Sequence, residues 1–323
     1  MVRPELPAPS RKARVRPMKR PLLVPILLAS LAAAGSQSPD QNRPTGQLQI
    51  DATAVDKNGR PVMDLRPQEF EVWIGPYRIP IDTVTVVTPE SPGSERTVVL
   101  ILDDLTIPLD QMARVRDIAR RFVSRLAPGD RLAITTFNAQ AAEFTSDRTK
   151  LLKRIDDFTI AASGGVRLED LGERFLDLLK VMSTQLAEFP GHRKTFVAIG
   201  SSWLFDAPLP PPVAGRDLAP QWIEAMRAMA STHSSLYVID PGGVGARPVH
   251  GRGFADQTGG AAFVNTNNFD EAVDRIMAET VNYYTLSIGD PPVRKGAALR
   301  DVDVRVLRKG VTVHARRAIP GSS

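Results

Sequence analysis

The feature that most constrains the fold is a regular alternation of short apolar runs and amphipathic segments from Thr97 onward. Residues 98–102 form a continuous apolar run, as expected for a strand that is buried on both faces of a sheet. Apolar residues then recur at three- and four-residue steps, which predicts a helix over 109–126. Because strands and helices alternate in this way, we predict an α/β domain with a doubly wound, mainly parallel sheet over residues 96–290.

The same patterns predict the other elements of this domain. Asp147 is expected to cap the helix that follows it, since an aspartate oxygen accepts hydrogen bonds from the first helical amides. Strands are predicted over 131–137, 194–199, 236–240 and 261–264, and further helices over 168–186, 218–229 and 269–281.

Alternating apolar and polar residues predict β structure on both sides of this domain. The amino-terminal β segment covers 47–90 and includes an Asn58-Gly59 turn, and the carboxy-terminal β segment covers 291–318. Neither segment has enough strands to be stable alone. We therefore predict that the two segments pack together as one small β-sandwich, into which the α/β domain is inserted.

The amino-terminal residues 1–34 have the features of a secretory signal peptide. A basic stretch precedes an apolar run that closes on three alanines, and this run is shorter than the roughly 20 residues that span a bilayer. An uncleaved anchor is the alternative, and Met18 is a second candidate start. Residues 35–46 are predicted to be a flexible linker. We expect an exported protein, periplasmic or extracellular, with no membrane span after cleavage.

The charge distribution argues against a nucleic-acid partner. The chain carries a net charge of +5 and has a pI near 9.6. Seven basic residues and one acid lie within residues 1–34, so this leader carries +6 and the remainder about −1. The chain has no cysteine, which excludes disulfides and a lipid-modified cysteine.

An acidic pair marks the predicted ligand-binding edge. Asp103 and Asp104 directly follow the first apolar strand of the α/β domain. In an open parallel sheet, ligands bind outside the carboxyl ends of the strands, where the strand order reverses. Two acids at the end of a buried strand are costly unless helix amides or a cation compensate them. We therefore expect this edge, which we call the strand-end rim, to carry the function.

The run Val98–Thr106 resembles the first strand and loop of von Willebrand factor A domains. Over most of its length the chain is similar to the bacterial VWFA-related family of the acidobacterial type. The other stretches that carry this resemblance are Asp56–Val62, Phe70–Val72, Leu126–Arg131, Phe144–Arg148, Tyr237–Pro241, Thr258–Phe263, Tyr283–Leu286 and Val313–Arg317. The resemblance implies a von Willebrand factor A-like fold, an adhesion-type function and a metal-ion-dependent adhesion site.

The chain departs from the ligand pattern of that metal site. Asp103 matches the first ligand, but Leu105 and Ile107 stand where the family has hydroxyl residues. Val166 stands in place of a threonine, and Ser201 in place of the second aspartate. Because Mg²⁺ requires several oxygen ligands, we expect a degenerate site and no cofactor.

Two interpretations of the acidic pair remain open. In the first, which we favour, Asp103 and Asp104 cap the following helix, whose amino end attracts anions. In the second, a divalent cation such as Mg²⁺ binds a rearranged site formed by Asp103, Asp104, Thr106 and Ser201. The second interpretation would make the protein a metal-dependent adhesion domain with altered ligands.

No stretch of the sequence carries an enzyme motif. Ser201 follows a strand but lacks the G-x-S-x-G context of a nucleophile elbow, and the four histidines show no metal-ligand spacing. The glycine-rich run 241–245, with Arg247 beyond it, lacks the P-loop pattern. We predict a non-enzymatic protein, with a hydrolase acting at the strand-end rim as the alternative.

The loop over 201–216 is the predicted contact with a protein partner. It combines Trp203 and Phe205 with a proline run. Aromatic anchors supply much of the energy of interfaces, and a pre-ordered proline run loses little entropy on binding. Arg247 in a neighbouring loop is a further candidate. In the alternative interpretation, the two aromatics fold back over the degenerate ion site.

Overall fold

The computed structural model describes residues 47–139, 142–161, 168–189, 193–200, 217–245, 252–289 and 299–321. The predicted signal peptide and linker over 1–46 lie outside these ranges. No helix within the described ranges is long and apolar enough to cross a membrane.

A five-stranded parallel sheet forms the centre of the α/β part. Its strands are β5 (Thr97–Leu102), β6 (Arg131–Thr136), β7 (Lys194–Ile199), β8 (Ser234–Ile239) and β9 (Ala262–Phe263). The spatial order is β6-β5-β7-β8-β9, and every neighbouring pair is parallel. The predicted α/β class with a parallel sheet is therefore confirmed.

Six helices flank this sheet in the described ranges. They are α1 (Met112–Ser124), α2 (Arg148–Asp156), α3 (Leu168–Leu186), α4 (Ala219–Ser231), α5 (Arg252–Gln257) and α6 (Phe269–Glu279). A 3-10 turn at Leu109–Gln111 precedes α1. The predicted cap of α2 is confirmed, because the Asp147 side chain accepts hydrogen bonds from the amides of Thr149 and Lys150. The sequence patterns did not predict α5.

Helices cover both faces of the parallel sheet. Successive strand residues point to opposite faces, so neighbours in β5 belong to different clusters. Ile101 packs in a buried cluster with residues of α3, α4 and α5, whereas Leu100 packs in a second cluster with residues of α1, α2 and α6. The sheet is thus buried on both sides, as the continuous apolar run of β5 predicts.

Two further four-stranded sheets are built from segments before and after the α/β part. Their strands are β1 (Gln47–Val55), β2 (Phe70–Ile74), β3 (Tyr77–Ile79), β4 (Ile81–Val87), β10 (Tyr283–Gly289), β11 (Leu299–Val306), β12 (Thr312–Ala315) and β13 (Ala318–Pro320). One sheet has the order β12-β1-β10-β4 and the other β13-β11-β2-β3. Residues of both sheets, such as Leu286 and Val72, share one buried cluster.

Strand β10 lies in a different sheet from the one that its sequence position predicts. The predicted α/β range 96–290 includes it, but β10 pairs antiparallel with β1 and β4. Residues 283–288 are all buried. The sequence of these residues indicates a strand without identifying its sheet, so local pattern alone could not place β10.

A buried arginine joins the α/β part to the sheet that contains β1. Nη1 of Arg193 donates a hydrogen bond to Oγ1 of Thr53 in β1 at 2.5 Å. Nη2 donates to the hydroxyl of Tyr237 in β8 at 3.2 Å and to the carbonyl of Gly259 at 3.0 Å. The Tyr237 hydroxyl in turn donates to Oε2 of Glu279 at 3.0 Å. These contacts fix the β1 sheet against the amino-terminal side of the parallel sheet.

Candidate functional site

The strand order of the parallel sheet reverses between β5 and β7. The first strand along the chain, β5, lies between the second and the third, β6 and β7. Such a switch point is the usual ligand position in doubly wound sheets. Asp103 follows β5 and Gly200 follows β7, and the amide of Asp103 donates to the carbonyl of Ile199 at 3.1 Å. The acidic pair therefore lies at the switch point, on the strand-end rim.

The Asp103 carboxylate closes its own loop. Its Oδ1 accepts hydrogen bonds from the amides of Leu105 at 3.0 Å and Thr106 at 2.8 Å. The Thr106 hydroxyl donates to Oδ2. Only 1% of Asp103 is exposed. These bonds compensate a buried carboxylate that would otherwise be costly to remove from water.

Asp104 connects its loop to the loop that follows β6. Its Oδ1 accepts from the amide of Phe137 and its Oδ2 from Nδ2 of Asn138, both at 3.0 Å. The carbonyl of Asp104 accepts from the amide of Ala161 at 2.8 Å. Arg174 in α3 then donates to Oδ1 of Asn138 at 2.6 Å. The side chain of Asp104 thus holds two rim loops at a fixed separation.

The favoured interpretation, in which the acidic pair caps the following helix, needs correction. The hydrogen bonds of both carboxylates run to loop groups at 105, 106, 137 and 138 rather than to the first turn beyond Pro108. The physical reason is distance, because the residues directly after β5 place loop amides closer to the two carboxylates than the helix amides are. The amides still compensate the charge, but they belong to loops.

Two positions that supply metal ligands in the resembling family belong to the hydrophobic core here. Leu105 is 7% exposed and packs with the cluster on the α3 face of the sheet. Ile107 is 4% exposed and packs with the cluster on the α1 face. The two side chains therefore anchor the loop after β5 in both layers of the core. Neither side chain has an oxygen that could bind a cation.

A third rim carboxylate, Asp240, was not singled out by the sequence reasoning. It follows β8 as Asp103 follows β5, and its Oδ1 accepts from the amide of Gly242 at 2.8 Å. Burial raises the pKa of Asp240 above its usual value. Arg114 in α1 donates to the carbonyl of Pro241 at 2.5 Å and fixes this loop from the side. The signal that could have identified Asp240 is an acid at the end of an apolar strand.

Several predicted site residues lie outside the described ranges. These are Val166, Ser201, Trp203, Phe205 and Arg247. Of the four candidate metal ligands, the structure joins Asp103 and Thr106 by a hydrogen bond, whereas the Asp104 carboxylate bonds to Phe137 and Asn138 of the β6 loop. Among the described residues, no group of three His, Cys, Asp or Glu side chains converges on a point where a metal ion could bind.

The chain was compared with known proteins. No family model matches it, and no curated protein matches it. Similar solved structures include a point mutant of the PilB minor pilin from Streptococcus sanguinis, which is 13% identical in sequence. The match covers 59% of this chain and 63% of that chain, and its TM-score is 0.41. The chain therefore spans less than two thirds of that pilin.

Two further solved structures are similar to this chain, with lower TM-scores. Manganese-loaded TRAP protein from Plasmodium vivax shows 11% identity, with 74% of this chain and 98% of that chain covered, and a TM-score of 0.38. The pilus adhesin RrgA from Streptococcus pneumoniae shows 12% identity, with 51% and 28% covered, and a TM-score of 0.26. The class that the fold itself defines is a mixed α/β protein with a five-stranded parallel sheet between helical layers.

Proposed function

We propose that this protein is an exported, non-enzymatic binding module of the adhesion type. In this proposal a von Willebrand factor A-like domain is inserted in a β-sandwich formed by the two terminal β segments. The strand-end rim contacts a protein partner, and it does so without a bound metal ion. Residues 1–34 act as the signal peptide that directs export.

The proposal that the rim binds without a metal ion rests on the hydrogen bonds of the two acidic side chains. Asp103 accepts hydrogen bonds from the amides of Leu105 and Thr106, and Asp104 accepts from Phe137 and Asn138. A hard cation would have to replace such donors with several oxygen ligands in a near-octahedral array. The loop amides thus already supply the compensation that a cation supplies in a metal site.

Apolar side chains on the rim support a role in protein binding. Leu109 lies just beyond the β5 loop and is 74% exposed, and Val244 in the loop after β8 is 63% exposed. Trp203 and Phe205 belong to the loop that follows β7, which starts at the same edge of the sheet. Leu109 and Val244 expose apolar side chains at this edge, and we propose that Trp203 and Phe205 add aromatic side chains, the composition that favours an interface core.

Proximity labelling in the native cell tests this proposal. We expect Trp203→Ala and Leu109→Ala each to remove at least one protein from the labelled set. The matched control is Tyr77→Ala, which truncates an aromatic side chain that is 58% exposed at the start of β3. A labelled set that is identical in all four proteins would contradict binding through the rim.

The hydrolase alternative has its own test. Wild-type protein and Ser201→Ala are assayed with generic ester and phosphate substrates, and we expect no turnover from either. Turnover by the wild type that is lost in Ser201→Ala would replace the proposed function with a hydrolytic one.

A further inference from the structure

A cavity of about 210 Å³ lies at the opposite end of the parallel sheet from the strand-end rim. It is bounded by β1, the last turn of α4 and the first residues of β8. Ser231 lines it and is exposed, so the cavity opens to solvent on that side. Leu48, Ile50 and Ile319 also line it, and the side chains of all three pack in or against the buried cluster that the two four-stranded sheets share.

The guanidinium group of Arg316 lines this cavity and is only partly hydrogen-bonded. Nη2 of Arg316 donates to the carbonyls of Met229 and Ser234. Nη1 is buried and has no hydrogen-bonding partner among the described residues. Burial lowers the pKa of Arg316 to about 10, although the charge of Asp51 acts in the opposite direction. A buried cation with an unused donor is complementary to a carboxylate, which accepts such bonds strongly.

Two oxygen acceptors in the same cavity have incomplete hydrogen bonding. Oε1 of Gln49 and Oδ2 of Asp51 are buried and accept no hydrogen bond from the described residues. Oδ1 of Asp51 accepts from the hydroxyl of Thr285 at 2.9 Å, while Oδ2 lies 3.6 Å from Nδ1 of His233. Buried polar atoms are nearly always paired, so the Gln49 oxygen requires a donor. Oδ2 of Asp51 has His233 as an ion-pair partner and can accept from a second donor.

We infer that this cavity binds a small zwitterion of the amino-acid class. The carboxylate of the ligand accepts from Nη1 of Arg316, and its ammonium group donates to Gln49 and Asp51. A zwitterion supplies an acceptor to Nη1 of Arg316 and donors to the two oxygens without burying a net charge. The volume fits a molecule smaller than the drug-sized ligands that fill pockets of roughly 300–1,000 Å³.

The binding test uses the full-length protein with each proteinogenic L-amino acid at millimolar concentration. Melting temperature and saturation-transfer NMR are recorded, with butyrate and butylamine as probes that carry only one of the two charged groups. We expect at least one amino acid to raise the melting temperature by about 3 °C at ten times its Kd. Butyrate and butylamine should give less than half of that rise.

Two results of this experiment would overturn the inference. If no amino acid gives a melting shift or an NMR signal, the cavity holds water only. If butyrate raises the melting temperature as much as the best amino acid does, the cavity is a simple anion site. Neither result bears on the proposed function, because the rim lies at the other end of the sheet.

Substitution of Gln49 makes the test specific to this cavity. Gln49→Leu removes an unused acceptor, so we expect the ligand-free melting temperature to stay within about 2 °C and the Kd of the bound amino acid to rise at least tenfold. Arg316→Met should abolish binding, but it also removes bonds to two carbonyls, so Gln49→Leu is decisive. The matched control is Gln68→Leu on an exposed turn, which should leave the Kd unchanged. An unchanged Kd in Gln49→Leu would contradict the proposed contacts.

Discussion

Asp103 and Gly200 approach each other so closely that only glycine fits at position 200. A Cβ atom on Gly200 would lie 2.8 Å from Oδ2 of Asp103, and closer still to its Cβ. The two residues end β5 and β7, the strands on either side of the switch point. The acidic loop is therefore packed directly against Gly200, the residue that precedes the predicted partner-contact loop 201–216.

We predict that Gly200→Ala destabilises the protein by about 1–3 kcal/mol, the usual cost of adding a methyl group to a filled site. The methyl group must displace the Asp103 carboxylate, which is held by the amides of Leu105 and Thr106. The matched control is Gly289→Ala, where a Cβ meets nothing within 4 Å. Urea unfolding measures both variants, and equal free energies of unfolding would contradict the close packing.

Arg193→Met should lower the free energy of unfolding by about 3–5 kcal/mol, because it removes a buried cation from charged and polar partners. The lost hydrogen bonds include those to Thr53 and Tyr237, which join β1 to β8. Arg120→Met is the control, since Arg120 pairs with Asp156 on the surface, where both side chains are about half exposed. Arg120→Met should lower the free energy of unfolding by less than about 1 kcal/mol. A loss in Arg193→Met no larger than in the control would contradict this role.

The stability of the protein should decrease in acid. Burial by itself would raise the pKa of Glu279, but the charge of His314, 3.6 Å away, and the charge and hydrogen bond of Arg275 hold it below its usual value. Burial would likewise raise the pKa of Asp51, but His233 and Arg193 outweigh it and keep that pKa lowered. A carboxyl group with a lowered pKa in the folded state stabilises it above the unfolded pKa. That stabilisation is lost as the pH falls through the folded pKa.

Glu279→Gln tests this prediction. We expect the decline in the free energy of unfolding below about pH 4.5 to be less steep in the variant, by at most ~1.4 kcal/mol per pH unit. Urea midpoints measured between pH 3 and 6 give the slopes. Glu143→Gln, which changes an exposed partner of Lys150, should keep the wild-type slope. Equal slopes in all three proteins would show that Glu279 does not contribute.

The elements that the sequence predicted well have strong local signals. The apolar run of β5 and the Asp147 cap of α2 depend only on neighbouring residues, and both are confirmed. Strand β10 falls within the predicted α/β range 96–290 but pairs with β1, and no local pattern could reveal a pairing that spans more than 200 residues of sequence. Short elements such as α5 and β13 also have no detectable hydrophobic periodicity in their sequences.

The sequence predicted where the candidate site lies, but not which hydrogen bonds its side chains make. Asp103 and Asp104 lie at the switch point because an acidic pair after a buried strand must fall at its carboxyl end. The side-chain partner of Asp104 is Asn138 in the β6 loop, 34 residues further along the chain, so no local pattern could reveal it. The same applies to Arg114, which contacts the loop after β8 from α1.

The central claim is that the strand-end rim works without a metal ion, and thermal melting with divalent cations tests it most directly. Wild-type protein and Asp103→Ala are melted in EDTA and in millimolar Mg²⁺, Mn²⁺ or Ca²⁺. Because a ligand that binds only the folded state raises its stability, a rim without a metal site predicts that the cations shift neither protein by more than about 1 °C. A rise of several degrees in the wild type that is absent in Asp103→Ala would contradict the account and establish a metal-dependent site with altered ligands.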